Sequence, residues 1–223
     1  MEIDWIHRPG EADSAGTLNL CFNALDRHVV RGLADEIALR VSRITAASTE
    51  HSFARLLEEV AAFGGALRAC GVGPGDRVLS RLPMGLHGLV AALATARIGA
   101  VHVGVEEYAD PVAPLATHRP VVVVAEGTDT TLAAALAATR DAPGAAIWRG
   151  QPPEGHDLEW DVLMRAGRVD PAPVVEVAAS ADAFVVGGRV LTVAQVLEDD
   201  GVDWPLDALL SLVDGALVML SLP

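Results

Sequence analysis

The stretch "RVLSRLPMGLHGLVAALATARIGAVHVGV", residues 77–105, reads as one strand–helix–strand unit. "RVLSRLP" is a short apolar run of strand character, and "AVHVGV" is a second one. Between them, "GLHGLVAALATARIG" is apolar at nearly every position, so this helix is expected to be buried on most sides. The same alternation extends in both directions. Upstream, "EIALRV" is a strand, and Ser52 precedes "FARLLEEVAAFGGALRACGVGPGD". There Phe53, Leu56, Leu57, Val60, Phe63 and Leu67 form one apolar stripe, with Ser52 placed to cap the helix and Gly71 to end it. Further upstream, "TLNLCFNALDRHVVRG" carries Leu18, Phe22, Leu25 and Val29 at helical spacing. Downstream, "PVVVVAE" is the all-valine run of a central parallel strand. "TTLAAALAATR" and "LEWDVLMRAG" are helices around the strand "AAIWRG". "GRVDPAPVVEVAAS" has linker composition, and the strand "AFVV", the helices around "VAQVLE" and "PLDALLSLV" and the strand "GALVMLSL" follow it. This order predicts an α/β fold: a mainly parallel sheet flanked by helices on both faces. Its core lies at about 17–150, its linker at about 166–180, and a terminal strand–helix–strand part at about 181–223.

Charge narrows the function. Thirty acids face 16 bases, a formal net charge of −14, which repels nucleic-acid phosphates and anionic lipid. All the bases are arginine; the chain has no lysine. No nucleic-acid or membrane partner is therefore expected. Cys21 and Cys70 lack metal-ligand spacing and read as reduced thiols of a cytoplasmic protein. "MEIDWIHRPG" has neither the basic nor the apolar part of a secretion signal, and residues 86–98 are too few to span a bilayer.

One segment, "ADAFVVGGRVLTVAQV" at residues 181–196, reads as strand, Gly-Gly turn and helix, the layout of a phosphate-binding loop. It holds no Ser/Thr run and no lysine. Gly187, Gly188 and Arg189, with Thr192 nearby, are the candidates for a small anion nest at a helix N-terminus. The other reading is a tight turn with Arg189 solvated.

Several segments, in this order, resemble the N-terminal part of a short-chain, acetyl/propionyl-type acyl-CoA synthetase of the adenylate-forming superfamily. "LNLCFNALDRHV" is similar to its L-N-x-C-Y-N-A-L-D-R-H-V helix, "GVGPGDRV" to its G-V-x-x-G-D-R-V strand entry, and "ARIGAVH" to its A-R-x-G-A-V-H step. "SLVDGALVML" resembles a later helix-to-strand step. The resemblance implies a fold like the N-terminal subdomain of adenylate-forming enzymes and places residues 1–223 in a single truncated domain of that kind. Family members use ATP with Mg²⁺ to make an acyl-adenylate and pass the acyl group to coenzyme A. The acyl pocket, the adenine and ribose contacts and the lid lysine belong to parts with no counterpart in these residues. The family's phosphate loop, with Thr-Ser-Gly before a hydroxyl residue and Pro-Lys-Gly at its end, corresponds here to Gly187, Gly188 and Arg189 alone. The basic loop that meets a CoA phosphate corresponds to the acidic "EGTDTT", and the family's F-G-G-F to "VEEY", residues 105–108. The departures imply that ATP, Mg²⁺ and CoA are not used, and that no residue is catalytic and none binds metal.

Other polar groups carry two readings. His102 with Glu106 and Glu107 suggests acid–base or metal chemistry, against a strand end running into an acidic loop. Asp26, Arg27 and His28 fit surface pairing and packing of a helix. His51, His87, His118 and His156 have no partner at ligand spacing. Trp5, Trp148, Trp160 and Trp204 fit packing anchors. The functional expectation is a non-adenylating acyl-CoA synthetase-like pseudoenzyme acting through interaction, as a homo-oligomer or with a protein partner that covers apolar surface. The alternative is a small-molecule binding protein or enzyme with a retained or repurposed acyl, CoA or nucleotide site.

Overall fold

The computed structural model describes residues 2–10, 15–44, 46–155, 158–199 and 203–222. In chain order the strands are β1 (Thr17–Leu18), β2 (Ile37–Arg43), β3 (Ala46–Ser52), β4 (Arg77–Ser80), β5 (Val101–Gly104), β6 (Val122–Glu126), β7 (Ala145–Arg149), β8 (Val177–Ala178), β9 (Asp182–Val186), β10 (Arg189–Thr192) and β11 (Val218–Leu222). The helices are α1 (Phe53–Ala69), α2 (Leu86–Arg97), α3 (Val112–His118), α4 (Thr130–Ala138), α5 (Trp160–Gly167), α6 (Val193–Glu198) and α7 (Leu206–Val213). Ahead of α1, the chain forms two π-helical stretches, Phe22–Asp26 and Val29–Leu33.

Six strands form the main sheet in the order β10-β9-β5-β4-β6-β7. Every pairing is parallel except that of β9 with β10. Successive residues of each strand feed opposite faces, as the two-residue period requires. Val78, Val122, Val124 and Phe184 pack with α1, α2 and α7. Leu79, Val123, Ala125 and Val185 pack with α3 and α4. Thus both faces are covered, as the sequence predicts for a mainly parallel sheet. Ser52 caps α1 by accepting from the Arg55 amide, and Gly71, at φ 88°, follows its end. Among the described residues no helix is long and apolar enough to cross a membrane.

Three features differ from the expectation. The hairpin strand β3, "AASTEHS", has no apolar alternation, so nothing in its pattern marks it. The last strand, β11, does not join the main sheet: it pairs in parallel with β2, in a three-stranded sheet ordered β11-β2-β3. The short helix α3 was not predicted, because a single buried residue, Leu115, carries its apolar signal. The linker-like segment is packed against its neighbours. Ala172 is buried, its amide bonds Ala61 O, and β8 pairs with β1. Close approach is allowed by glycine: a Cβ on Gly167 would stand 1.9 Å from the Ala62 carbonyl oxygen. Beside it Trp160 stacks on Phe63 at 4.0 Å.

The N-terminal π-helical region ties these layers together with buried polar groups. Asn19 Nδ2 donates to the carbonyls of Ala96 and Arg97 at the end of α2 and of Val175, joining the two segments. Arg97 closes on Asp26 at 2.8 and 3.0 Å and donates its Nε to Ala172 O. Arg27 donates to the carbonyls of Glu2 and Val213, and His28 Nε2 lies 2.9 Å from Leu212 O. Asp26, Arg27 and His28 were expected at the helix surface. The structure instead buries Arg27 and His28, because the segment lies between α1 and α7. Removing one partner of a buried pair leaves the other charge desolvated and uncompensated. Asp26→Asn is therefore expected to cost about 3 kcal/mol in urea unfolding, whereas Glu50→Gln, which breaks the exposed pair with Arg40, should cost under about 1 kcal/mol.

Candidate functional site

In open parallel sheets, ligand sites form beyond the carboxyl ends of the strands, where the winding direction reverses. Here the chain passes from β4 to β5 on one side and returns to β6 on the other. Arg81, directly after β4, and Asp129, directly before α4, meet in that crevice. Arg81 is 1 % exposed, and its Nε lies 2.8 Å from Asp129 Oδ2. The same guanidinium donates to the carbonyls of Glu106, Glu107 and Ala109, which holds the loop after β5 in place. Asp129 Oδ1 accepts from the Leu132 amide, so the positive end of α4 is closed by the chain's own carboxylate. An external anion approaching that helix end meets a carboxylate.

The Gly-Gly segment differs from its sequence reading. "VVGGRV" is a β-hairpin, with β9 and β10 antiparallel and Val186 opposite Arg189. Gly187 and Gly188 both have positive φ, 56° and 78°, the requirement of the tight two-residue turn whose twist matches its strands. The helix begins only at Val193. Thr192 is its N-cap: the hydroxyl accepts from the Gln195 amide while the Gln195 side chain accepts from the Thr192 amide. The sequence pattern missed β10 because four residues are too short to show a period. Arg189, expected to be solvated if the turn was closed, reaches Asp199 at 3.3 Å and Asp203 at 3.4 Å.

Beside the hairpin lies an open cleft of about 440 Å³. It brings together His102, Glu106 and Glu107, and adds Tyr108, Asp203 and Trp204. His102 is 3 % exposed; its ring packs against Phe184 at 5.4 Å, and its Nδ1 has no hydrogen-bond partner. Burial pushes its pKa from the ordinary 6.5 down to about 4, so the imidazole is neutral near pH 7. A second cleft, of about 360 Å³, joins Arg43 and His51 to His87 and to the Glu126–Arg149 pair at 2.6 Å. Burial lowers the pKa of His51 and His87. His118 stands away from both clefts, and His156 lies outside the described residues. Among the described residues no group of three or more His, Cys, Asp and Glu is placed to hold a metal ion. Cys21 and Cys70 are free thiols; burial pushes Cys21 up to about 12. Trp148 and Trp160 are buried, whereas Trp5 and Trp204 are half-buried.

Comparison with known proteins adds a family. A model described as AMP-binding enzyme matches residues 26–165. The chain is 45% identical over 87 residues to acetyl-coenzyme A synthetases of Burkholderia mallei (strain SAVP1) and Burkholderia pseudomallei (strain K96243). That match covers 39% of this chain and 13% of each relative. The fold is similar to the crystal structure of the Brucella canis acyl-CoA synthetase, with TM-score 0.72 and 19% identity over 92% of this chain and 43% of that one.

The buried His102 makes stability pH-dependent. Its folded pKa lies below its unfolded one, so between them the unfolded state binds more protons. Stability is then lost as pH falls through the window from about 6.5 to about 4, by about 3 kcal/mol at the acid end. Denaturant unfolding of His102→Gln across that window should show a shallower slope; an unchanged slope would refute the assignment.

Proposed function

Because the chain belongs to the AMP-binding enzyme family, we propose that it is an acyl-CoA synthetase-like member that forms no acyl-adenylate with its own residues and works by protein interaction in the cytoplasm. The hairpin turn carries this reading. Phosphoryl chemistry rests on positioning and on charge stabilisation around the phosphates. The turn supplies Gly187 and Gly188, with no hydroxyl and no lysine, and Arg189 is engaged by two aspartates. Asp129 occupies the N-terminus of α4, and the cleft beside the hairpin is lined by carboxylates. The phosphates of ATP and CoA, cofactors implied by the resemblance, thus meet no cationic cradle at this hairpin. Two free cysteines, one of them fully buried, agree with a reducing compartment.

The interaction surface in this reading is the outer edge of β11. Edge strands present unpaired backbone groups to other chains unless charge or cover blunts them. β11 alternates buried Val218 and Leu220 with Met219, which is 65 % exposed, and it carries no charged residue. The opposite edge, β3, is polar. A strand from a second copy or from a partner fits the β11 edge.

Two measurements test the reading. Acetate- or propionate-dependent exchange of labelled pyrophosphate into ATP should stay at the blank; exchange that is lost on Arg189→Ala would overturn the reading of the hairpin. In sedimentation equilibrium, the chain should self-associate or hold a co-purified partner, and Met219→Asp should weaken that association about tenfold or more. A monomer at all concentrations that retains no partner would sink the interaction role.

A further inference from the structure

The geometry of the cleft between β5, β9 and the 203–205 segment points to a binding site for a small organic cation carrying a primary ammonium. The first ground is charge. Glu106, Glu107 and Asp203 line the cleft, and no arginine does. Among the described residues neither the Glu106 nor the Glu107 carboxylate has a hydrogen bond or ion pair, although Arg81 fixes the backbone that carries them. The backbone of both glutamates is therefore fixed while their exposed carboxylates stay unneutralised, whereas Asp203 shares Arg189 with Asp199.

The second ground is His102. A buried polar side chain normally finds a partner, and its Nδ1 has none. The ring lines the cleft beside Gly104, where a side chain is missing: a Cβ at Gly104 would stand 3.8 Å from Nε2. This leaves room for a ligand above the ring. The nitrogen that a ligand beside Gly104 meets is Nε2; with the proton on the enclosed Nδ1, Nε2 is an acceptor, and an ammonium is a donor alone, so the two are complementary. The third ground is the wall. The Trp204 indole lies over Gly88, with a Cβ there 3.4 Å from Cζ2, and Tyr108 stands at the rim. Aromatic faces attract cations. A cleft of about 440 Å³ suits a small molecule. A metal ion is the weaker fit, because among the described residues no group of three or more His, Cys, Asp and Glu is placed to hold one.

The test needs neither ATP nor a partner, so its failure is distinct from failure of the proposed function. Putrescine is titrated into the full chain by calorimetry at low salt, with butane-1,4-diol as the neutral match in length. Saturable putrescine binding is expected with Kd at or below about 1 mM, with no binding of the diol. Glu106→Gln/Glu107→Gln should raise Kd about tenfold or more. The mutations remove charge and leave the backbone carbonyls that Arg81 holds. Asp141→Asn/Glu154→Gln, an equal charge change on exposed residues outside the cleft, should alter Kd less than about twofold. The His102 ring resonances should shift as putrescine saturates. The site is refuted by absence of saturable binding up to about 10 mM, by equal binding of the diol, by equal weakening in the control variant, or by unmoved His102 resonances at saturation.

Discussion

Arg97 leaves the last turn of α2 with its guanidinium almost out of water and closes on the Asp26 carboxylate at 2.8 and 3.0 Å. Taking two such charges from solvent is costly, and the cost is offset only when each is fully engaged. The remaining contacts meet that demand. Arg97 Nε holds the Ala172 carbonyl, and Asn19, on the same N-terminal segment, takes the carbonyls of Ala96, Arg97 and Val175. Arg27 and His28 extend the polar row to the end of α7. One short segment thereby registers α2, α7 and the chain at residues 172–175 against each other, and the apolar packing around it is held to that register. The cation also sits at the carboxyl end of its own helix, where the backbone dipole favours it.

A second buried arginine applies the same demand at the other end of the sheet. Arg81 neutralises Asp129, Asp129 caps α4, and the remaining donors of Arg81 gather the carbonyls of residues 106, 107 and 109. The crevice where open parallel sheets hold ligands is therefore filled by an internal ion pair. The loop it fixes points carboxylates into the neighbouring cleft. Electrostatics at this end of the sheet thus disfavour phosphate and favour cations, in line with the overall charge of −14.

Much of the fold was legible because apolar patterns there coincide with elements. The valine-rich β6, the buried α2 and the capped stripe of α1 are each settled by local apolar pattern. The β3 strand and α3 were not, since their stability comes from neighbours and their own apolar signal is slight. The Gly-Gly turn shows the limit more sharply. Gly187 and Gly188 are equally suited to a phosphate loop and to a two-residue hairpin, because both need positive φ. The pairing of Val186 with Arg189 decides between them; it spans only three positions, but the four residues of β10 are too few to show a strand period that would announce it.

The candidate site was legible in part. His102, Glu106 and Glu107 lie close together in the chain, so their grouping follows from a strand running into a loop. Asp203 and Trp204 join them from about a hundred residues away, through the packing of the segment ahead of α7, which no spacing reveals. By itself the sequence determined the fold class, the acidic balance and the absence of lysine, because composition and periodicity are local properties, and its motifs carried the family whose model matches residues 26–165. Only the tertiary structure decided that Arg189 and Arg81 are already paired, that Asp26 is spent on Arg97, and that His102 lies buried without a partner. The buried pairs depend on which distant charges share a desolvated space, and the half-exposed Arg189 on which loop its hairpin meets; both are settled only when the chain has packed.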